Sequence, residues 1–242
     1  MNNTVLELLK KLDLRGASES YEAMLNEPSL SQGLSSDELI TQILDAEINY
    51  RFMKRQKYLL TYSRLPSPAM LKDILYSDER GADFRNNVAK LANLDFIRDG
   101  RNLTIYGATA SGKSFQAVAL ARKACQAGYS TIYYIISELI MLKGTQAYTS
   151  KRKSLLSKSL LVLDDFALTP YDVEEQAVLF DILNDRYERK SSIIASQKSP
   201  VMWIKEMQGT TLAESVVSRA AHNNYSLTLK GESLRCSFDI NI

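Results

Sequence analysis

The segment Gly107-Ala108-Thr109-Ala110-Ser111-Gly112-Lys113-Ser114 has the spacing G-x-x-x-x-G-K-[ST]. Glycines at these points let a loop curl so that its N–H groups converge on phosphate oxygens. A helix starting directly behind the loop would aim its positive end at the same anion. Lys113 is then placed to reach the β- and γ-phosphates, and the Ser114 hydroxyl to ligate magnesium. Farther along, Leu160-Leu161-Val162-Leu163 runs into Asp164-Asp165. A buried strand ending this way would deliver Asp164 to the metal and leave Asp165 to orient or deprotonate the water that attacks the γ-phosphate. The plainer reading of the pair, a helix cap after a strand, loses force once a phosphate loop lies upstream. The chemistry implied is hydrolysis of ATP with Mg²⁺ as the second cofactor. Gln197, at the end of Ile193-Ile194-Ala195-Ser196-Gln197, could position the water and report nucleotide state, or could simply cap the strand.

These groups need strands to carry them. Asn102 to Gly107 reads as a strand entering the loop, and Phe115 to Ala127 as an alanine-rich helix ended by Gly128. Residues 130–136 (STIYYII), 160–165 and 191–196 read as further strands, with Ser137 capping the next helix. Residues 172–190 form an amphipathic pattern with Ala177, Phe180, Leu183 and Tyr187 on one face, and Leu212 to His222 is a further helix. Strands alternating with helices predict an α/β fold, a central parallel sheet flanked by helices. Before it the pattern is helical. Val5, Leu8, Leu9 and Leu12 recur at helical spacing, and 17–26 is a short helix ended by Pro28. Ser35-Ser36-Asp37-Glu38 is a capping box opening a long helix with a stripe of Leu39, Ile43, Ala46, Tyr50, Met53 and Leu60, stopped by Pro66 and Pro68. The expected domains are 1–65, helical, and 66–242, carrying the phosphate loop and a connector over 66–100.

The 242 residues carry 45% hydrophobic and 24% charged side chains, enough for a core without disulfides. Cys125 and Cys236 form no CxxC pair, and His222 has no ligand cluster, so reduced thiols and a cytoplasmic location are expected, with no membrane span. Net charge is +2, but its distribution is uneven. Ile48–Leu71 holds no acid and includes Arg51, Lys54, Arg55, Lys57 and Arg64; Leu139–Leu163 holds none and includes Lys143, Lys151, Arg152, Lys153 and Lys158. Such runs are either solvated helix faces or phosphate contacts. Arg51, Lys54, Arg55 and Lys57, interleaved with Phe52, Tyr58 and Tyr62, and Lys151, Arg152 and Lys153 are the candidates for DNA binding. Trp203 reads as a core anchor. Arg219 could reach a neighbouring subunit's γ-phosphate or be an ordinary surface arginine, and Arg235 is similarly ambiguous.

From about Leu39 to Arg235 the chain resembles the IstB-like AAA+ ATPases, helpers of the transposase in a family of bacterial insertion sequences and related to DnaC loaders and DnaA initiators. The resemblance is carried by the basic helix ending near Leu65-Pro66, Leu94-Asp95-Phe96-Ile97, the phosphate loop, Asp164-Asp165-Phe166, Ser196-Gln197 and Trp203. The tail is the most specific part: Leu212-Ala213-Glu214, Ser218-Arg219-Ala220-Ala221-His222-Asn223 and Lys230-Gly231-Glu232-Ser233-Leu234-Arg235. It implies an AAA+ domain, Arg219 as arginine finger, Gln197 as first sensor and Arg235 as a second. It further implies self-assembly on double-stranded DNA, target selection and recruitment of the partner transposase. Ser218 stands where an acid often precedes the finger. The nearest alternative is a helicase loader of the same fold. A small-molecule kinase would need an acceptor lid rich in arginine, which does not follow Asp165, and a non-hydrolysing scaffold would have no use for Asp165.

Overall fold

The computed structural model describes residues 4–76, 80–222 and 224–231. Arg235 and Cys236 lie outside them. The chain divides into two compact units, 1–58 and 59–242.

The first unit contains α1 (Thr4–Lys11), α2 (Arg15–Asn26), a 3-10 turn at Pro28–Leu30 and most of α3 (Ser36–Thr61). The capping box read in the sequence is formed: Ser35 N and Oγ donate to the Glu38 carboxylate at 2.8 and 2.7 Å, and Glu38 N donates to Ser35 Oγ at 3.3 Å. Ala17, Met24 and Ile43 form the small core, with Leu9, Leu14, Tyr21 and Leu39 around it. Gly16 is where α2 and α3 touch, since a Cβ there would lie 2.4 Å from Ala46 O. The expected α3 stripe is only partly used: Ile43 is buried, but Met53 is 68% exposed. A 12-residue α2 spans roughly 18 Å and a 26-residue α3 roughly 39 Å, so apolar periodicity outlasts that packing partner.

In the second unit the connector holds a 3-10 turn (Leu71–Asp73), α4 (Phe84–Ala92) and α5 (Asp95–Arg98). Then come β1 (Leu103–Gly107), α6 (Lys113–Gln126), β2 (Thr131–Ile135), α7 (Ile136–Ile140), α8 (Gln146–Ser157), β3 (Leu160–Asp164), α9 (Val173–Arg186), β4 (Ser191–Ser196), α10 (Pro200–Glu206), α11 (Thr211–Ala221) and β5 (Tyr225–Leu229). The strands are parallel in the order β2-β3-β4-β1-β5. Strand alternation splits the core in two. Leu103, Ile105, Leu160, Val162, Ile193 and Ala195 pack with α6 and α4. Leu161, Leu163 and Ile194 pack with α9, α11 and Trp203. Among the described residues no helix is long and apolar enough to cross a membrane.

Two local expectations are corrected, and two elements are added. Ser137 does not cap α7, which leaves β2 directly at Ile136. Strand β5 and helix α8 are elements that periodicity did not reveal. On α9 the buried face is Gln176, Leu179, Ile182, Leu183 and Arg186, while Ala177 is exposed. Polar side chains on that face conceal it in the sequence. Gln176 Nε2 donates to Tyr171 O and Met207 O at 3.0 and 3.2 Å. Arg186, 1% exposed, donates to Leu155 O (2.7 Å), Lys158 O (3.0 Å), Ser191 O (2.6 Å) and Ser192 Oγ (3.2 Å). Burial pushes its pKa down to about 10. It joins the end of α8 to the start of β4.

Arg186→Met should therefore lower the unfolding free energy by about 3 kcal/mol or more, because it strands several buried acceptors. Urea denaturation measures this, with exposed Arg189→Met as the control; equal midpoints for the two variants would contradict the assignment.

Candidate active site

In the order β3-β4-β1, neighbouring strands stand about 4.8 Å apart, so the tips of β1 and β3 are roughly 10 Å apart with β4 between. All three run parallel and end at one edge. Ligands of open α/β sheets collect at that edge, where strand order switches. There the fold brings together the loop after β1, Asp164 at the end of β3 with Asp165 following it, and Gln197 after β4.

The loop is tightly built. A Cβ on Gly107 would meet Leu229 O at 2.4 Å and Ser111 Oγ at 3.1 Å. Ala110 (φ +58°) and Gly112 (φ +95°) turn the backbone, and Ser111 N donates to Ala108 O at 3.2 Å. Ala108, Thr109 and Ser114 are exposed, while Ser111 and Lys113 are buried. Lys113 begins α6, and its Nζ donates to Ala108 O at 2.7 Å. Burial pushes its ammonium below the usual range, and the charges of Asp164 and Asp165 push back.

Asp164 is buried. Its Oδ1 accepts from Asp165 N at 2.9 Å and its Oδ2 from the Tyr133 hydroxyl at 2.6 Å. Asp165, half-buried at φ +56°, has its pKa raised, first by burial and then by the Asp164 charge. The β3 tip is tied to β4: Phe166 N donates to Ala195 O (2.9 Å), and Ser196 Oγ to Phe166 O (2.6 Å). Fully buried Trp203 donates from Nε1 to Ser196 Oγ at 2.9 Å, a core anchor as expected. Thr109 Oγ1 donates to Gln197 Oε1 at 2.9 Å, which joins the β4 tip to the loop.

Arg219 is placed elsewhere. Asn102 Nδ2, just before β1, donates to the carbonyls of Arg219 and Ala220 at 2.9 and 3.2 Å. That is the amino end of the strand whose carboxyl end carries the loop, a separation of roughly 16 Å over five residues. The Arg219 guanidinium donates from Nε to Asn184 Oδ1 at 2.7 Å and lies 4.6 Å from the Phe180 ring centre. Several of the basic candidates are paired. Arg51 Nε bonds Glu47 at 2.6 Å, and Arg152 is held by Asp185 and Asp181. Lys151 lies 5.3 Å from the Tyr134 ring centre. Arg51, Lys54, Arg55, Lys57 and Lys153 are all exposed to solvent.

Two participants, Tyr133 and Arg80, escaped sequence reading, as did the contact between Thr109 and Gln197. Tyr133 meets Asp164. Arg80, 6% exposed, donates from Nη2 to Ser111 O at 3.1 Å. Strand alternation separates Tyr133 from Tyr134 but does not tell which faces the acids. An arginine in a charged connector carries no signal at all.

The site suits a metal-bound nucleotide. Ser111 Oγ is buried without a hydrogen-bond partner inside the loop. Among the described residues no cluster of three or more His, Cys, Asp or Glu could cage a metal. Two carboxylates and the Ser114 hydroxyl would suffice for Mg²⁺, which keeps waters and takes phosphate oxygens as its other ligands.

The model of the family described as IstB-like ATP binding protein matches residues 7–239. The chain belongs to that family. IstB-like relatives include a putative insertion sequence ATP-binding protein of Sinorhizobium fredii, 32% identical over 97% of this chain and 96% of its own length. Another is the IS21 putative ATP-binding protein of Pseudomonas aeruginosa, 30% identical over 94% of this chain and 87% of its own. Among solved structures, DnaI has a TM-score of 0.59 at 20% identity and covers 69% of this chain and 91% of its own. The DnaC helicase loader has 0.55 at 23% identity, covering 67% and 97%. At such identities these neighbours speak for the fold alone, a parallel sheet flanked by helices.

Gly107→Ala should disturb this IstB-like protein at two places, because its Cβ would collide with the β5 backbone at Leu229 O and crowd Ser111 Oγ. A loss of about 1–3 kcal/mol is expected. A melting midpoint lower by several degrees and weaker ATP binding would be seen together; wild-type values of both would contradict the tight fit.

Proposed function

We propose that this chain is a Mg²⁺-dependent ATPase that assembles on double-stranded DNA and helps a partner transposase choose and enter its target. The observation that supports it most is the meeting of Lys113, Asp164-Asp165 and Gln197 at one sheet edge. The loop from Gly107 to Ser114 wraps the phosphates with its amides, and Lys113 exchanges Ala108 O for phosphate oxygens. A polyanionic triphosphate beside two carboxylates requires a divalent cation, with Ser114 and Asp164 as its protein-side contacts. Held there, the ion would supply positive charge to offset that of the phosphates. Asp165 orients the attacking water and takes its proton. Gln197, already touching Thr109, is positioned to register the γ-phosphate. Arg235 as a second sensor is carried over from the family resemblance, and its position falls outside the described residues.

Arg219 stands about a strand's length from its own loop, and this favours action in trans. It would complete the site of an adjacent protomer, so that ATP joins subunits and hydrolysis parts them. Phosphate contacts from Arg51, Lys54, Arg55, Lys57, Lys151, Arg152 and Lys153 would be independent of sequence and sensitive to salt. For Arg51 and Arg152 such contacts would replace the ion pairs with Glu47 and with Asp181 and Asp185. A cytoplasmic setting, where the DNA lies, completes the picture. The insertion-sequence relatives align over nearly the whole chain, whereas DnaC aligns over 67%. This favours the transposition reading over a helicase loader.

Arg219→Ala and Asp165→Asn should each lower DNA-stimulated ATP turnover, the former by about 10³-fold. Mixing the two inactive proteins should restore part of it, because the Asp165→Asn subunits supply intact arginines to sites with intact aspartates. A mixture as inactive as its components would reject action in trans.

A further inference from the structure

Tyr133 lies on β2 opposite Val162, two residues before Asp164 on β3. The diagonal neighbour on the same face of a ladder is within reach of an aromatic side chain. The Tyr133 hydroxyl uses that reach to approach Asp164 Oδ2 to 2.6 Å. A phenol has one proton to give, and at this distance a carboxylate takes it as a charge-assisted hydrogen bond. The other carboxylate oxygen takes Asp165 N at 2.9 Å. Together the two bonds fix the plane of the carboxylate. An ionised carboxylate has about four acceptor positions, so both oxygens keep room for a further partner. Burial on β2 does not by itself supply such a bond: Tyr134, the next residue, has a buried hydroxyl without a partner.

We propose that Tyr133 is a positioning residue for the divalent cation. Its hydroxyl holds Asp164 in the orientation that receives Mg²⁺ or a Mg²⁺-bound water, while Tyr133 touches neither metal nor nucleotide. The inference rests on the ATPase reading above. Partners of this kind, one step removed from the ion, fix ligand orientation, and their loss typically weakens metal affinity 10- to 100-fold.

The test uses the full chain with a non-hydrolysable ATP analogue and Mn²⁺ as the probe, with free Mn²⁺ read by electron paramagnetic resonance. Tyr133→Phe keeps the ring and removes the donor. It should weaken Mn²⁺ binding to the nucleotide-loaded protein by about tenfold. Nucleotide affinity in chelator and the melting midpoint should stay near wild type. In an Asp164→Asn background the same substitution should change Mn²⁺ binding less than about twofold, since the coupling runs through the carboxylate. Unchanged Mn²⁺ affinity in Tyr133→Phe, or an equal loss in both backgrounds, would overturn the proposal. Wild-type protein that takes up no nucleotide would instead remove the ATPase reading beneath it.

Discussion

A buried ammonium and a buried carboxylate, with a second, half-buried carboxylate beside them, share one corner of this protein, and the sheet leaves them little freedom to separate. Lys113 is buried at the start of α6, and Asp164 is buried at the end of β3. Burial disfavours the Lys113 charge, and the charges of Asp164 and Asp165 favour it. The parallel register with β4 interposed holds β1, whose loop leads to Lys113, at a fixed distance from β3, which ends in Asp164. The hydrogen bonds through Ser196, Phe166 and Trp203 make that distance a property of the core rather than of a loop. A triphosphate–metal unit extends the same balance: more negative charge from the phosphates, more positive charge from the ion.

The two ends of the sheet have different chemistry. At the carboxyl edge stand the loop, the acid pair and Gln197. At the amino edge, Asn102 ties β1 to α11 by bonding the carbonyls of Arg219 and Ala220, and it accepts from Ser192 N at 2.8 Å. In the proposed assembly one edge receives what a neighbour's other edge presents. Asn184 and Phe180 hold the Arg219 guanidinium on the outside of α9, so its presentation depends on how α9 packs.

The part of the fold written in local patterns was readable. Strand β3 is an apolar run with a sharp end, β1 and β4 carry apolar centres, and the phosphate loop has a spacing that few other structures need. The capping box at Ser35 and Glu38 formed as read. Tertiary choices left no such mark. Strand β5, with Ser226 and Thr228 exposed on an edge, has too little apolar pattern to stand out. The α9 face was misjudged because Gln176 and Arg186, polar by type, are buried through hydrogen bonds that come from distant segments. At the site the nucleotide-facing residues were legible, since their chemistry demands particular types. Their supports were not, since Arg80 and Tyr133 act through geometry that appears once strands and connector are in place.

The most direct test of the central claim is a crystal of the protein with a non-hydrolysable ATP analogue and Mn²⁺, with the ion located by anomalous scattering. The account predicts the triphosphate inside the loop with its γ-phosphate against Lys113. It also predicts the ion between Ser114 and Asp164, within about 2–2.5 Å of the hydroxyl oxygen. A triphosphate bound away from Lys113, or an ion on a face remote from Asp164, would contradict it.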